Sequence, residues 1–424
     1  MPPTTSGRRG LVLIAAAIVL TALNLRTMVN SVGPVLPELA VGLGLSSGLT
    51  GLVTALPVLC FAALGYAGPP LSARYRDAHV LAGAMLAMAA GMTLRAVAGS
   101  FWLFVAGTVL AMSGGALGNV LLPGLVKRHF PHRIGAVVGA YGTAMALGAA
   151  IASVTTAPLA TAAGADGWRW GLGVWAAFAV VAALPWLLVP AAPSDERRAT
   201  SRVGLRVLAR SPTAAALTVF FGLQGLQGYV VVGWSAQYLR DAGLGAADAG
   251  LLLGLHALVS VPLSAVVPAL TARQRAQRPL LLAIVGCSAG GWTGMALAPS
   301  TATWAWMVLL ALGLSAFPMF LGMLGLRSRT PETTVALATT AQGCGYLIMA
   351  VGPLGVGVLR GLTGDYTGMF LLAAIAVLGL GLSGWLATRP RYVDDEVAGR
   401  FPEEDADVHA EAGTGPGPHP RQGG

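Results

Sequence analysis

Arg26 is the residue with the clearest chemical potential. It lies inside a long apolar run with no charged neighbour nearby, where an arginine near the centre of a membrane helix costs about 2.5–3.5 kcal/mol on insertion scales. Its planar guanidinium, with five donors, suits a small anion such as a carboxylate, carbonate or cyanate. Asn30 at i+4 and Gly33 at i+7 would add an amide and a close-approach position on the same helical face. Asn24 supplies a second amide just before it. Gln224 and Gln227, Asn119, and the i, i+4 pair Gln342 and Tyr346 also fall inside apolar runs. Such groups can bind a polar solute and can equally bridge helices. His256 is the only histidine well inside an apolar run; an imidazole there could take up a proton and couple solute movement to a proton gradient, or simply bond to a neighbour. Arg95 lies near the end of its run, where a long side chain can snorkel to the headgroups.

The missing groups narrow the chemistry further. No Asp or Glu falls in the middle of an apolar run. A pump for hydrophobic cations usually needs a buried carboxylate to trade against a proton, so an unpaired Arg26 favours an anionic or neutral polar solute. Gly-rich stretches such as Gly343-Cys344-Gly345 carry no following Lys-Ser/Thr and are not phosphate loops. No cofactor, metal site or nucleic-acid partner is indicated. His129 and His132 lack a nearby carboxylate, which leaves a membrane enzyme as an alternative of another class without a site; a receptor would be a third.

The elements that must hold these residues are membrane helices. The chain has 424 residues, 55% hydrophobic and only 10% charged, against roughly 25% charged in soluble domains. Apolar runs near 11–36, 49–68, 80–98, 101–125, 134–162 and 168–190, then 212–238, 249–270, 279–298, 302–326, 334–359 and 367–388, are each long enough to cross about 30 Å of hydrocarbon. That is an all-α membrane protein of twelve spans. Arg8 and Arg9 before the first run superficially suggest a signal peptide, but no small-residue cleavage site precedes Asn24-Leu25-Arg26, so this run is taken as the first span. With the N-terminus inside, the inside segments hold seventeen Arg and Lys residues, the acidic tail aside, against Arg169, Arg240 and Arg360 outside. Both termini are therefore expected in the cytoplasm of a bacterial inner membrane. Cys60, Cys287 and Cys344 sit in apolar runs and are expected to pack rather than pair. Residues 391–424, rich in Asp, Glu, Gly and Pro, are expected to be disordered.

An internal echo divides the chain. Residues 69–76 (Pro-Pro-Leu-Ser-Ala-Arg-Tyr-Arg) match 268–275 (Pro-Ala-Leu-Thr-Ala-Arg-Gln-Arg), and Gly51-Leu52 matches Gly250-Leu251, both at an offset of 199. Pro131 and Pro331 correspond at 200. The expected domains are a bundle over 1–190, a basic linker over 191–211 and a second bundle over 212–390. Two six-span halves in parallel repeat are the layout of the major facilitator fold, with a site between the halves.

The resemblance then becomes specific. The stretches Asn24–Pro34, Gly51–Phe61, Gly118–Arg128 and Gly167–Trp170 resemble the signatures of the cyanate/2-nitroimidazole transporter family. The general superfamily loop is degenerate: residues 65–77 keep Arg74 and Arg76 but lack its early Asp. The resemblance implies a secondary transporter working by alternating access, as a monomer, on a small cyanate-, bicarbonate- or nitroimidazole-like solute. The alternative within transport is a broad-specificity drug or metabolite efflux protein.

Overall fold

The computed structural model describes residues 8–64, 75–130, 133–164, 166–189, 208 and 210–398. Among them there is no strand, and eleven helical segments are long and apolar enough to cross a membrane. The shorter apolar helix Ser47–Leu64 completes the expected twelve spans. The first half comprises Arg8–Asn30 continued by Leu36–Gly42, then Ser47–Leu64, Asp77–Ala96, Phe101–His129, Ile134–Ala162 and Gly167–Leu188. The second comprises Pro212–Asp241, Ala246–Thr271, Gln274–Leu297, Thr303–Gly313 continued by Ala316–Leu326, Pro331–Thr363 and Thr367–Ala387. Arg8 and the helix Val393–Ala398 lie on one face, the terminal face.

Two spans are broken, and proline accounts for both breaks. Pro34 cannot donate to the carbonyl of Asn30, so the first helix ends there and restarts through a 3-10 turn, Gly33–Val35. Pro318 likewise leaves the carbonyl of Leu314 without its helical donor, at the break in the tenth span. Pro57, Pro262 and Pro353 stay within continuous helices.

The core shows where the halves meet. Two apolar clusters centre on Met85, Met88 and Trp186 of the first half and on Phe220, Met319 and Phe320 of the second; Val58 of the first half joins the latter, and Tyr229 and Val232 of the second half pack on the former. At the remote face one continuous core takes Leu36, Trp168 and Leu172 from the first half and Trp234, Leu253 and Met307 from the second. The repeat explains the contacts. Gly51 of the second span packs on the backbone of Pro353, Leu354 and Gly357 in the eleventh, and a Cβ there would come within 2.9 Å of it. Its repeat equivalent Gly250, in the eighth span, packs on the Ser153 carbonyl of the fifth, at 2.4 Å from a Cβ. Gly33 lies against the carbonyl of Val232, its own equivalent at the offset of 199, which places the pseudo-two-fold axis at that contact.

The stretch after Pro390, expected to be disordered as a whole, begins with a short docked helix. Glu396 accepts from the backbone N–H and hydroxyl of Thr213 (3.1 and 2.8 Å) and from Ser211 Oγ, capping the start of the seventh span. Asp394 accepts from Arg329 N–H and Thr333 Oγ1 at the start of the eleventh. Burial of Val393 against the bundle completes the docking, so acidic composition here serves two helix N-termini. Residues 69–74 of the echo, Pro131, the linker over 191–207 and the tail beyond Ala398 lie outside the described residues.

Candidate functional site

Arg26 projects from the first helix, seven residues before the Gly33 contact, and is partly exposed. Three phenols lie within electrostatic reach of it, Tyr141, Tyr229 and Tyr346, from the fifth, seventh and eleventh spans. The site therefore draws on both halves. Among the described residues neither the Arg26 guanidinium nor any of the three hydroxyls has a hydrogen-bond partner, and no carboxylate pairs with Arg26. Tyr346 is held by aromatic neighbours: Phe221 meets it edge-on at 5.5 Å between centroids, and Phe61 of the other half lies 6.1 Å away. A fixed cation, three free phenols and a stiff aromatic wall can hold a planar anion or polar ring by charge, hydrogen bonds and stacking.

The other expected residues divide. Gln342 lies one turn from Tyr346 on the eleventh span and is half-buried, without a hydrogen bond among the described residues, as is Asn119 on the fourth. Asn30 and Gln224 are buried and likewise unbonded among the described residues. Asn30 is the last residue of the first helix, so the continuous face expected for Arg26, Asn30 and Gly33 is cut by the break after it. Gly33 is a close-approach position, as expected, but the group that approaches is the backbone of the seventh span.

Three residues are engaged in packing inside one half. Asn24 Nδ2 donates to the carbonyls of Leu20 (2.9 Å) and Phe178 (3.2 Å), tying the first span to the sixth. Gln227 does the same between the seventh and ninth spans: its Oε1 accepts from Ser288 Oγ (2.5 Å) and Trp292 Nε1 (3.1 Å). His256 Nδ1 lies 3.4 Å from the Met307 carbonyl of the tenth span, a contact in which the ring nitrogen donates.

Tyr141 and Tyr229 were not singled out by the sequence. The available signal was scarcity: the chain has eight tyrosines, and a phenol inside an apolar run needs a polar purpose. Arg95 differs from expectation outright. It does not snorkel, being fully buried, with Nη1 donating to the Met28 carbonyl (3.1 Å), Nη2 to Ser31 Oγ (3.5 Å), and the Phe104 ring at 5.8 Å. The break at Asn30 exposes carbonyls that draw it inward.

Comparison with known proteins agrees with this architecture. The family model described as Major Facilitator Superfamily matches residues 13–353. A 2-nitroimidazole transporter of Escherichia coli is 33% identical over 391 residues, covering 92% of this chain and 98% of the relative. The cyanate transport protein CynX of the same organism is 30% identical over 365 residues, covering 86% and 94%. An uncharacterized transporter of Bacillus subtilis is 33% identical over 386 residues, covering 90% and 94%. Among solved structures, a bacterial homologue of the human lysosomal transporter Spinster, in an inward-facing and unoccupied conformation, superposes with a TM-score of 0.71 at 15% identity, covering 94% of this chain and all of that one. A D-xylose–proton symporter gives 0.68 at 15% identity, covering 87% and 97%; both share the fold. Twelve apolar spans in two repeated halves, the match over residues 13–353 and relatives at 30–33% identity lead to one conclusion: the chain belongs to the Major Facilitator Superfamily and, within it, resembles the cyanate and 2-nitroimidazole transporters.

Proposed function

We propose that this membrane protein is a secondary transporter of a small anionic or neutral polar solute, planar and of the cyanate, bicarbonate or nitroimidazole kind, held at Arg26. The observation that carries the reading is the convergence of Tyr141, Tyr229 and Tyr346, from both halves, on an arginine that has no acidic partner among the described residues. A site divided between two halves is what alternating access requires, because rocking the halves then changes both the exposure and the shape of the site. One core joins the halves at the remote face, while the other two large clusters each centre on one half, with Val58 of the first half reaching into the second. With Arg and Lys concentrated at the terminal face, that face is cytoplasmic in a bacterial inner membrane and the conformation is inward-facing. Proton coupling, if His256 provides it, acts through the tenth span, to which its ring is bonded.

The test is solute flux into proteoliposomes for cyanate, bicarbonate, nitrate, small carboxylates and a 2-nitroimidazole, with wild type beside Arg26→Ala and Arg26→Lys. Saturable flux of one of these solutes, lost in a folded Arg26→Ala protein, is the expected result. Flux unchanged in Arg26→Ala would remove the solute from this site, and selective flux of hydrophobic cations would replace the reading with drug efflux.

A further inference from the structure

A second arginine lies on the same route. Between Arg26 and the closed remote face, the structure holds a small cavity lined by Arg95, Tyr229, Thr54, Thr108, Val53 and Val232, among others. The centre of a water-sized sphere has about 20 Å³ open to it there, so the cavity takes one occupant of water size or somewhat larger. Most of its wall is apolar. Thr54 and Thr108 spend their hydroxyl protons on their own helices, donating to Gly51 O at 2.9 Å and Phe104 O at 2.8 Å. The groups left to donate into the cavity are Arg95 and Tyr229.

Arg95 is short of negative charge. Its Nε is buried without a partner, and among the described residues no carboxylate pairs with it. The carbonyl end of the first helix, through Met28, offers about half an elementary charge. The carbonyl end of its own helix is already used by another cation: Arg169 Nη1 donates to Ala98 O at 2.6 Å and Ala96 O at 3.2 Å. The acid beside Arg169, Asp166, is itself largely exposed. A buried guanidinium with an open donor next to a hole leaves a positive excess that an anion would offset.

We propose that this cavity is a binding site for one small inorganic monoanion of halide size, held between the Arg95 guanidinium and the Tyr229 hydroxyl. The site is distinct from Arg26 and shares only Tyr229 with it.

The experiment is thermal unfolding of the purified full-length transporter against sodium bromide, with sodium gluconate, whose anion is too large for the cavity, holding ionic strength constant. Wild type and Arg26→Ala are expected to show a saturable bromide-specific rise on the order of 2 °C. Val53→Ile, which fills the cavity with one methylene and leaves every charge in place, is expected to abolish the rise, as is Arg95→Gln. Should Arg95→Gln fail to fold, Val53→Ile carries the test. The proposal is overturned by the absence of a bromide-specific rise in wild type, by a rise that survives Val53→Ile, or by one that disappears in Arg26→Ala, which would place the anion at Arg26. Because the bromide response of Arg26→Ala is read apart from solute flux, failure of either site is distinguishable from failure of the other.

Discussion

Arg240 and Glu38 join the two halves at the remote face through a two-pronged ion pair, Nη1 to Oε2 at 3.0 Å and Nη2 to Oε1 at 2.7 Å. Arg240 also reaches the Pro34 carbonyl at 3.4 Å, so the pair is anchored to the break in the first span. Both side chains are partly exposed, which limits the contribution to about 0.5–1 kcal/mol. Glu38→Gln should therefore move the balance between closed and open remote faces by about two- to fivefold toward open. Spin labels at Val41 and Leu362, both well exposed on opposite halves, would report the change as a longer distance population. An unchanged distribution would show that the apolar contacts alone hold this face.

Those apolar contacts have their own weak point. Gly51 has no room for a side chain against Gly357 and Pro353, so Gly51→Val should block closure of the remote face while leaving each half folded. The expected readout is a larger shift in the same label distance than Glu38→Gln gives, with flux falling to near background. Normal flux in Gly51→Val would mean that closure as seen here is not part of the working cycle.

The phenols around Arg26 should separate by removal of single hydroxyls. A hydrogen bond to a charged group is worth about 1.5–3 kcal/mol, so Tyr346→Phe should raise the solute KM by roughly ten- to a hundredfold. The ring contacts with Phe221 and Phe61 remain, and the melting temperature should stay close to that of wild type. Tyr141→Phe offers the same comparison from the other half.

His256→Gln tests the buried histidine of the eighth span. The imidazole is occupied with the Met307 carbonyl, and a glutamine amide can donate there as well. Flux with an unchanged pH profile is the expected outcome. A profile that flattens in the variant would instead assign His256 to proton coupling.

The docked C-terminal helix should depend on acid. Arg329 bonds to both carboxylate oxygens of Asp395, Nε to Oδ1 and Nη2 to Oδ2, each at 2.8 Å. This partner's hydrogen bonds and charge hold the Asp395 carboxyl below its ordinary range and raise Arg329 above its own. A depressed carboxyl stabilises docking fully above its unfolded value, about 3.9, and loses that contribution as pH falls through the lower folded value. Protease cleavage between Pro390 and Ala398 should thus be slow near neutrality and accelerate below about pH 4. Glu396→Ala, which removes the cap on the seventh span, should cost about 1–2 kcal/mol and speed the same cleavage at neutral pH. Equal cleavage rates in both proteins would show that Glu396 adds nothing to docking.

Much of the architecture was legible because a membrane simplifies the code. Length and apolarity of each run marked a span, since one segment can pair all its own backbone groups in lipid only as a helix. The repeat offset of 199 anticipated two halves, and it names the pairs, Gly51 with Gly250 and Gly33 with Val232, that make equivalent or mutual contacts. Arg26 stood out as a cation within an apolar run.

The direction in which each helix faces was decided only by tertiary packing. Helices apolar on every side carry no stripe to show which residue meets a neighbour and which meets the central path. Gln227 and His256 looked like site residues and instead bond to the ninth and tenth spans. Tyr141 and Tyr229 carried no mark in the sequence and come within electrostatic reach of Arg26. Arg95 needed only to snorkel by position, yet the proline-broken end of a helix 67 residues away in sequence holds it inside. Span existence depends on local composition and can be read from one segment at a time. Helix rotation and burial depend on what the other eleven spans present, and so they exist only in the assembled fold.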